Sequence, residues 1–123
     1  MQRALSAGDL ARVRAQVPDE DAGNKAQQVV VYAHACVLET NSAGLSILFD
    51  RFSRAERRSM ASALAAIKAT ATLRALRSLE RAFARKKAPE TGSVDRRSDK
   101  LVAEMEARLL RFCEANVEEL AAG

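Results

Sequence analysis

The stretch RALRSLERAFAR at 74–85 sets Arg74, Arg77, Arg81 and Arg85 at intervals of three and four residues. On an α-helix these four fall within an arc of about 80°, and Leu73, Leu76, Leu79 and Phe83 cover the other side. Like charges at i and i+4 repel by roughly 0.2–0.5 kcal/mol. Four in line therefore carry a small local cost, which a docked polyanion or acidic protein surface removes. Arg54 and Arg58 extend this basic patch if the fold brings them alongside, as could Arg57, Lys86, Lys87, Arg96 and Arg97. The bland alternative is a solvated face, partly neutralised by the chain's own acidic final helix. There the carboxylates pair as Glu104 with Glu106 and Glu114 with Glu118.

The charge distribution sharpens that contrast. The net charge is +4, but residues 51–97 hold thirteen Lys/Arg against four Asp/Glu, a local +9, while 1–50 stand at −2 and 98–123 at −3. A basic middle between mildly acidic ends needs either a partner or internal compensation. Composition is otherwise that of a soluble globular domain, with 48% apolar and 29% charged residues in 123. The longest apolar run, Val29 to Leu38, is too short to span a bilayer. MQRALSAGDLARVRAQV carries Asp9 and lacks the apolar core of a secretory signal, so no membrane partner and a cytoplasmic location are expected.

Catalytic constellations are sparse. His34 is the only histidine and lies inside an apolar helical pattern, where a core role outweighs catalysis. Tyr32 and Glu39 share a face seven residues apart, but His34 points about 160° from Tyr32, so the three do not converge on their helix. Cys36 and Cys113 are too few and too distant for a disulfide framework or a zinc site, and are read as buried, reduced thiols. Helical glutamate pairs usually form a solvated face, and the five glycines are scattered rather than gathered into a phosphate loop. The expectation is no enzyme, no metal and no cofactor.

Only helical signals recur. Ser6 with Asp9 opens a short helix through Leu10, Val13 and Val17 that Pro18 stops. Asn24 with Gln27 starts a second, carrying Val29, Tyr32, Ala33 and Cys36. VVVY could be a strand, but the surrounding Ala, Gln and Leu favour helix and nothing resembles a partner strand. Thr40–Gly44 then breaks the pattern, with Asn41 or Ser42 expected to cap the next helix, whose Leu45, Leu48, Phe49 and Phe52 form an apolar stripe. Ser53-Arg-Ala-Glu56 is a capping box before Met60, Ala63, Leu64 and Ile67. A further helix begins near Thr70 or Thr72 and ends at the latest by Pro89. KKAPETGSVDRRS, residues 86–98, reads as a flexible polar loop, and Ser98 or Asp99 opens a long last helix through Leu101, Met105, Leu109, Phe112 and Leu120. The sum is an all-α, compact single-domain bundle of about five or six helices over 1–123.

Glu39 to Phe49, with Ala66-Ile67-Lys68-Ala69 and Leu73–Phe83, resembles a small bacterial domain family, long catalogued as of unknown function, whose best-known member is a DNA mimic that binds a helix-turn-helix transcription factor. Glu39, Asn41 and Gly44 match the family's helix end, Leu45 and Phe49 occupy its aromatic positions, and Ala69 sits at its later helix junction. Ala43 stands for a glycine, Leu45 for an aromatic, Ile47 for a glutamine and Lys68 for the junction glycine. The resemblance implies a non-catalytic protein-binding module that regulates or neutralises a partner protein. Mimicry needs carboxylates spaced like phosphates, and only the acidic ends, with Glu104, Glu114 and Glu118 as the candidate acidic face, could supply them. An immunity or antitoxin-like protein would instead use the basic patch, Arg54, Arg58, Arg74, Arg77, Arg81 and Arg85, against an acidic toxin. The alternative is nucleic-acid binding through the same stripe, with Met60–Ile67 and Leu73–Phe83 imitating a helix-turn-helix whose connector lacks the usual glycine. A second copy of the chain, in a homodimer, is the other partner such a chain could take.

Overall fold

The computed structural model describes residues 24–85 and 89–121, and no strand occurs among them. The helix expected around Ser6–Val17, the acidic cluster Asp19–Asp21, and Lys86 and Lys87 lie outside these residues. The architecture is an all-α bundle, as its sequence periodicity implies.

Helix α1 (Lys25–Ala43) is the central rod. Ala26, Val30, Val31, Ala33, Cys36 and Val37 are all buried, which takes in more than half of the directions around its axis, an arc of about 220°. Burying a valine side chain contributes about 1.5 kcal/mol or more, against a helix-propensity cost of roughly 0.5 kcal/mol. The VVVY segment is therefore helical, held by what surrounds it. Its first turn carries the anticipated capping box: Gln27 N–H donates to Asn24 Oδ1 and Asn24 N–H to Gln27 Oε1, both at 2.9 Å.

The chain does not break where its polar residues stand. Thr40, Asn41, Ser42 and Ala43 all remain helical, and α1 ends at Gly44, at φ 89° and ψ 161°, a region essentially reserved for glycine. The reason is one of size: mid-helix Asn and Ser cost only a few tenths of a kcal/mol, and Thr40 is buried beside Cys36. Asn41 and Ser42 thus cap nothing. A 3-10 turn (Leu45–Ile47) and the short α2 (Leu48–Arg51) follow, burying Leu45 and Leu48 fully.

Helix α3 (Arg54–Ala66) opens on the Ser53/Glu56 capping box and buries Met60, Ala63 and Leu64 against α1. It closes in a Schellman motif, with Ala69 N–H donating to Leu64 O (2.9 Å) and Lys68 N–H to Ala65 O (3.1 Å). Lys68 holds the left-handed position at φ 65°. Helix α4 (Thr70–Arg85) packs on α3 and on α6.

Two expectations for the second half are corrected. The polar segment 86–98 contains a helical turn, α5 (Gly92–Asp95), whose Val94 is buried and whose Asp95 reaches back to the 3-10 turn. The last helix is two pieces, α6 (Ser98–Ala115) and α7 (Val117–Ala121). The break falls at Asn116, whose side-chain N–H donates to Phe112 O at 2.8 Å, an asparagine competing for helical backbone partners. The bend returns α7 to the start of α1, where Asn24 Nδ2 donates to Glu119 O (2.6 Å) and the buried Gln27 Nε2 to Leu120 O (3.1 Å).

Candidate functional site

The core-facing side of α4 is set by Thr72, Leu73, Ala75, Leu76 and Leu79, all buried. At 100° per residue, the direction opposite their mean falls among Arg74, Arg77, Arg81 and Arg85. All four are exposed. Among the described residues, the carboxylate ion pairs are Arg51–Glu39 and Arg57–Glu80, and neither involves the stripe. Internal neutralisation by the acidic last helix is therefore absent from the described residues, because α6 packs on the side of α4 that the arginines face away from.

Arg54 and Arg58 are exposed on α3. With Arg57, Arg77 and Glu80 they line a groove of about 250 Å³ between α3 and α4, which Ala61 and Leu76 also line. The fold thus brings Arg54, Arg58 and Arg77 together, while Arg74 and Arg81 continue along α4. Arg85 borders a separate hollow beside Pro89 and Glu90. Arg96 and Arg97 are exposed on the turn between α5 and α6 and line neither hollow.

Arg57 leaves the free patch. Its Nε donates to Glu80 Oε1 at 2.7 Å, one terminal nitrogen donates to Phe52 O at 2.8 Å, and the guanidinium lies 4.4 Å from the centre of the Phe49 ring. Phe49 in turn stacks on Phe83, centroids 4.3 Å apart and nearly parallel. This Arg–Phe–Phe pile joins α2, α3 and α4, and it commits to packing the two aromatics nearest the basic face.

The acidic residues divide by role. Glu104, on α6, accepts from Ala71 N–H (2.9 Å), Thr72 N–H (2.8 Å) and the Thr72 hydroxyl (2.7 Å). It therefore caps α4 from outside, meeting free backbone donors at the positive end of the helix dipole. Burial alone would raise its pKa. The Thr72 hydroxyl, the Thr72 and Ala71 amides and the Arg108 charge outweigh that and hold it below the ordinary glutamate value. Glu104 does not share one acidic face with Glu114 and Glu118, as the sequence suggested. Glu114 lies about 15 Å further along α6 and about 80° round it, and Glu118 is on α7 beyond the break.

The side chains with catalytic potential stay dispersed. His34 is buried in α1, Tyr32 borders a cavity of about 180 Å³ between α1 and α3, and Glu39 pairs with Arg51 at 2.8 Å. Cys36 and Cys113 are buried free thiols. Burial raises Cys36 to about 12, and burial with the Glu114 charge raises Cys113 to about 11. Sequence reasoning missed the long-range partnerships of Glu104 and Asp95 and a cleft joining Lys68 to Arg108 and Arg111. No local signal reveals contacts across thirty or more residues.

Comparison with protein-family models, curated proteins and solved structures finds no match. The likeness to the DNA-mimic domain accordingly rests on the short matching segments alone.

Proposed function

We propose that this protein is a non-catalytic binding module that holds the phosphate backbone of nucleic acid on the α3–α4 face, without reading sequence. One observation carries the proposal: Arg74, Arg77, Arg81 and Arg85 all face solvent, with no carboxylate at ion-pair distance among the described residues. Protein-binding surfaces centre on apolar or aromatic anchors. The exposed large apolar side chains among the described residues are Leu38 and Val117, on α1 and α7, and neither belongs to this face. A row of unpaired guanidiniums without anchors suits phosphates, which guanidinium forks meet in charge and geometry. Phe49 and Phe83 are stacked on each other, so base stacking on this face is not part of the proposal.

The α3–α4 connection favours the same reading over an acidic protein partner. The two helices are joined by a short turn through Ile67–Ala69, with Lys68 taking the left-handed place where helix-turn-helix connections often carry glycine, and the arginine side of the second helix is left in solvent. The expected result is binding to a fluorescein-labelled random-sequence duplex, measured by anisotropy, whose logarithmic affinity falls linearly with log salt at a slope of about −3 to −4 for four phosphate contacts. A flat salt response, or capture of a single acidic protein that survives nuclease treatment, would return the face to the protein-binding role.

A further inference from the structure

Lys68 is the one non-glycine residue at positive φ among those described. Glycine would hold that place more cheaply, and the Schellman turn that closes α3 sets the conformation. Lys68 also lines a cleft of about 430 Å³, between the α3–α4 turn and the last turns of α6, that the α4 stripe does not enter. Its other lining residues include Ile67, Arg108, Arg111, Phe112 and Asn116.

We propose that this cleft is a second binding site, independent of the α4 face, that takes a mononucleotide-class ligand: a phosphate group among Lys68, Arg108 and Arg111, and a planar base against Phe112. Three cations from two elements forty residues apart converge here, and none of them makes an ion pair with a carboxylate among the described residues. Glu104, one turn before Arg108 and near enough for that charge to act on it, already accepts from the start of α4, and Glu106 and Glu114, nearer in sequence, make no ion pair with these cations among the described residues. Phe112 is half-buried and packs against the core, so its ring is a fixed wall rather than a mobile side chain. Asn116 spends an N–H on Phe112 O, which leaves its side-chain carbonyl as an acceptor for a base amine. A volume of several hundred cubic ångströms, an aromatic and apolar wall and a few polar groups match the general make-up of small-ligand sites. Arginine pairs add the fork geometry that phosphate prefers.

The test is a ¹H–¹⁵N titration of the full chain with AMP, and separately with inorganic phosphate, at constant ionic strength. AMP should produce saturable shifts confined to residues 66–68 and 108–116 and bind at least about tenfold more tightly than phosphate, the difference expected when an aromatic contact adds to the ionic one. Arg111→Gln, an exposed position, should weaken AMP about tenfold without moving the melting temperature. Phe112→Leu should bring AMP down to the affinity of phosphate. Lys68→Gly gives a signature that a structural role alone would not: a higher melting temperature together with weaker AMP binding. Arg81→Gln should leave AMP binding unchanged, which separates this site from the α4 face. Equal affinity for AMP and phosphate in the wild type, shifts centred on residues 74–85, or an Arg111→Gln variant that binds AMP as well as the wild type would each overturn the proposal.

Discussion

The α4–α6 seam and the solvent face of α4 lie on opposite sides of one helix and use charge in opposite ways. At the seam, the Glu104 carboxylate is enclosed by two backbone N–H groups and the Thr72 hydroxyl. The seam between the 3-10 turn and α5 repeats the device, with Asp95 accepting from Ser46 N–H at 3.1 Å and from the Ser46 hydroxyl at 2.7 Å. On the solvent face, the guanidiniums of the stripe have no carboxylate partner within the described fold. Acids turned inward close helix ends, and bases turned outward remain available. Charges at the seams should therefore matter to folding and little to binding, and charges on the face should do the reverse.

The largest effect is expected at the Asp95 seam. Gly44→Val puts a β-branched residue at a glycine-only conformation, with its Cβ 2.8 Å from Asp95 Oδ1. Backbone strain and the lost Ser46–Asp95 bonds together should cost about 3 kcal/mol or more, read as a fall in the urea midpoint. A loss below 1 kcal/mol would mean that the seam yields easily.

Next comes the Glu104 seam. Glu104→Ala removes a charge-assisted cap and should cost about 2 kcal/mol. The sign of the pH effect follows from its lowered pKa. A carboxylate depressed in the folded state contributes its stabilisation fully above the unfolded value and loses it as pH falls through the folded one. Wild-type stability should thus decline below about pH 4.5 more steeply than that of Glu104→Gln, and parallel curves would contradict the cap.

Arg57 and Arg77 sharpen the contrast within one groove. Arg57→Ala breaks bonds to Glu80 and to Phe52 O and uncovers the Phe49 ring, a loss of about 1–2 kcal/mol. Arg77→Ala should stay within about 0.5 kcal/mol of wild type. Similar melting temperatures for the two would dissolve the distinction between committed and free arginines. Smallest of all, Asn41→Ala should stabilise by a few tenths of a kcal/mol, because Asn41 is an exposed helical residue rather than a cap. A measurable loss in a thermal melt would restore its capping role.

The same division explains what could be read from the chain before folding. Both capping boxes, Asn24/Gln27 and Ser53/Glu56, lie within three residues and were visible as spacing. So were the apolar stripe of α4 and the outward direction of its arginines, because helical period alone determines them. The extension of α1 through Thr40–Ala43 was hidden, since the propensity cost of the exposed Asn41 and Ser42 is too small to end a helix and Thr40 is held by burial. Arg57 was indistinguishable from Arg54 and Arg58 until Glu80 and Phe49 came within reach. Glu104 looked like one more surface carboxylate because its donors, Ala71 and Thr72, are thirty-two or more residues away. The α6–α7 break turned on one asparagine whose competition with the backbone depends on geometry.

The most direct test of the central claim, that the α4 face serves binding rather than folding, is a paired measurement on the variant carrying Arg74→Gln, Arg77→Gln, Arg81→Gln and Arg85→Gln. Its melting temperature and its affinity for a labelled duplex would be recorded across a salt series. The prediction is a melting temperature equal to or slightly above wild type, since like-charge repulsion is relieved, together with loss of most of the affinity and of the salt slope. Wild-type affinity with an unchanged slope in a folded variant would contradict the claim.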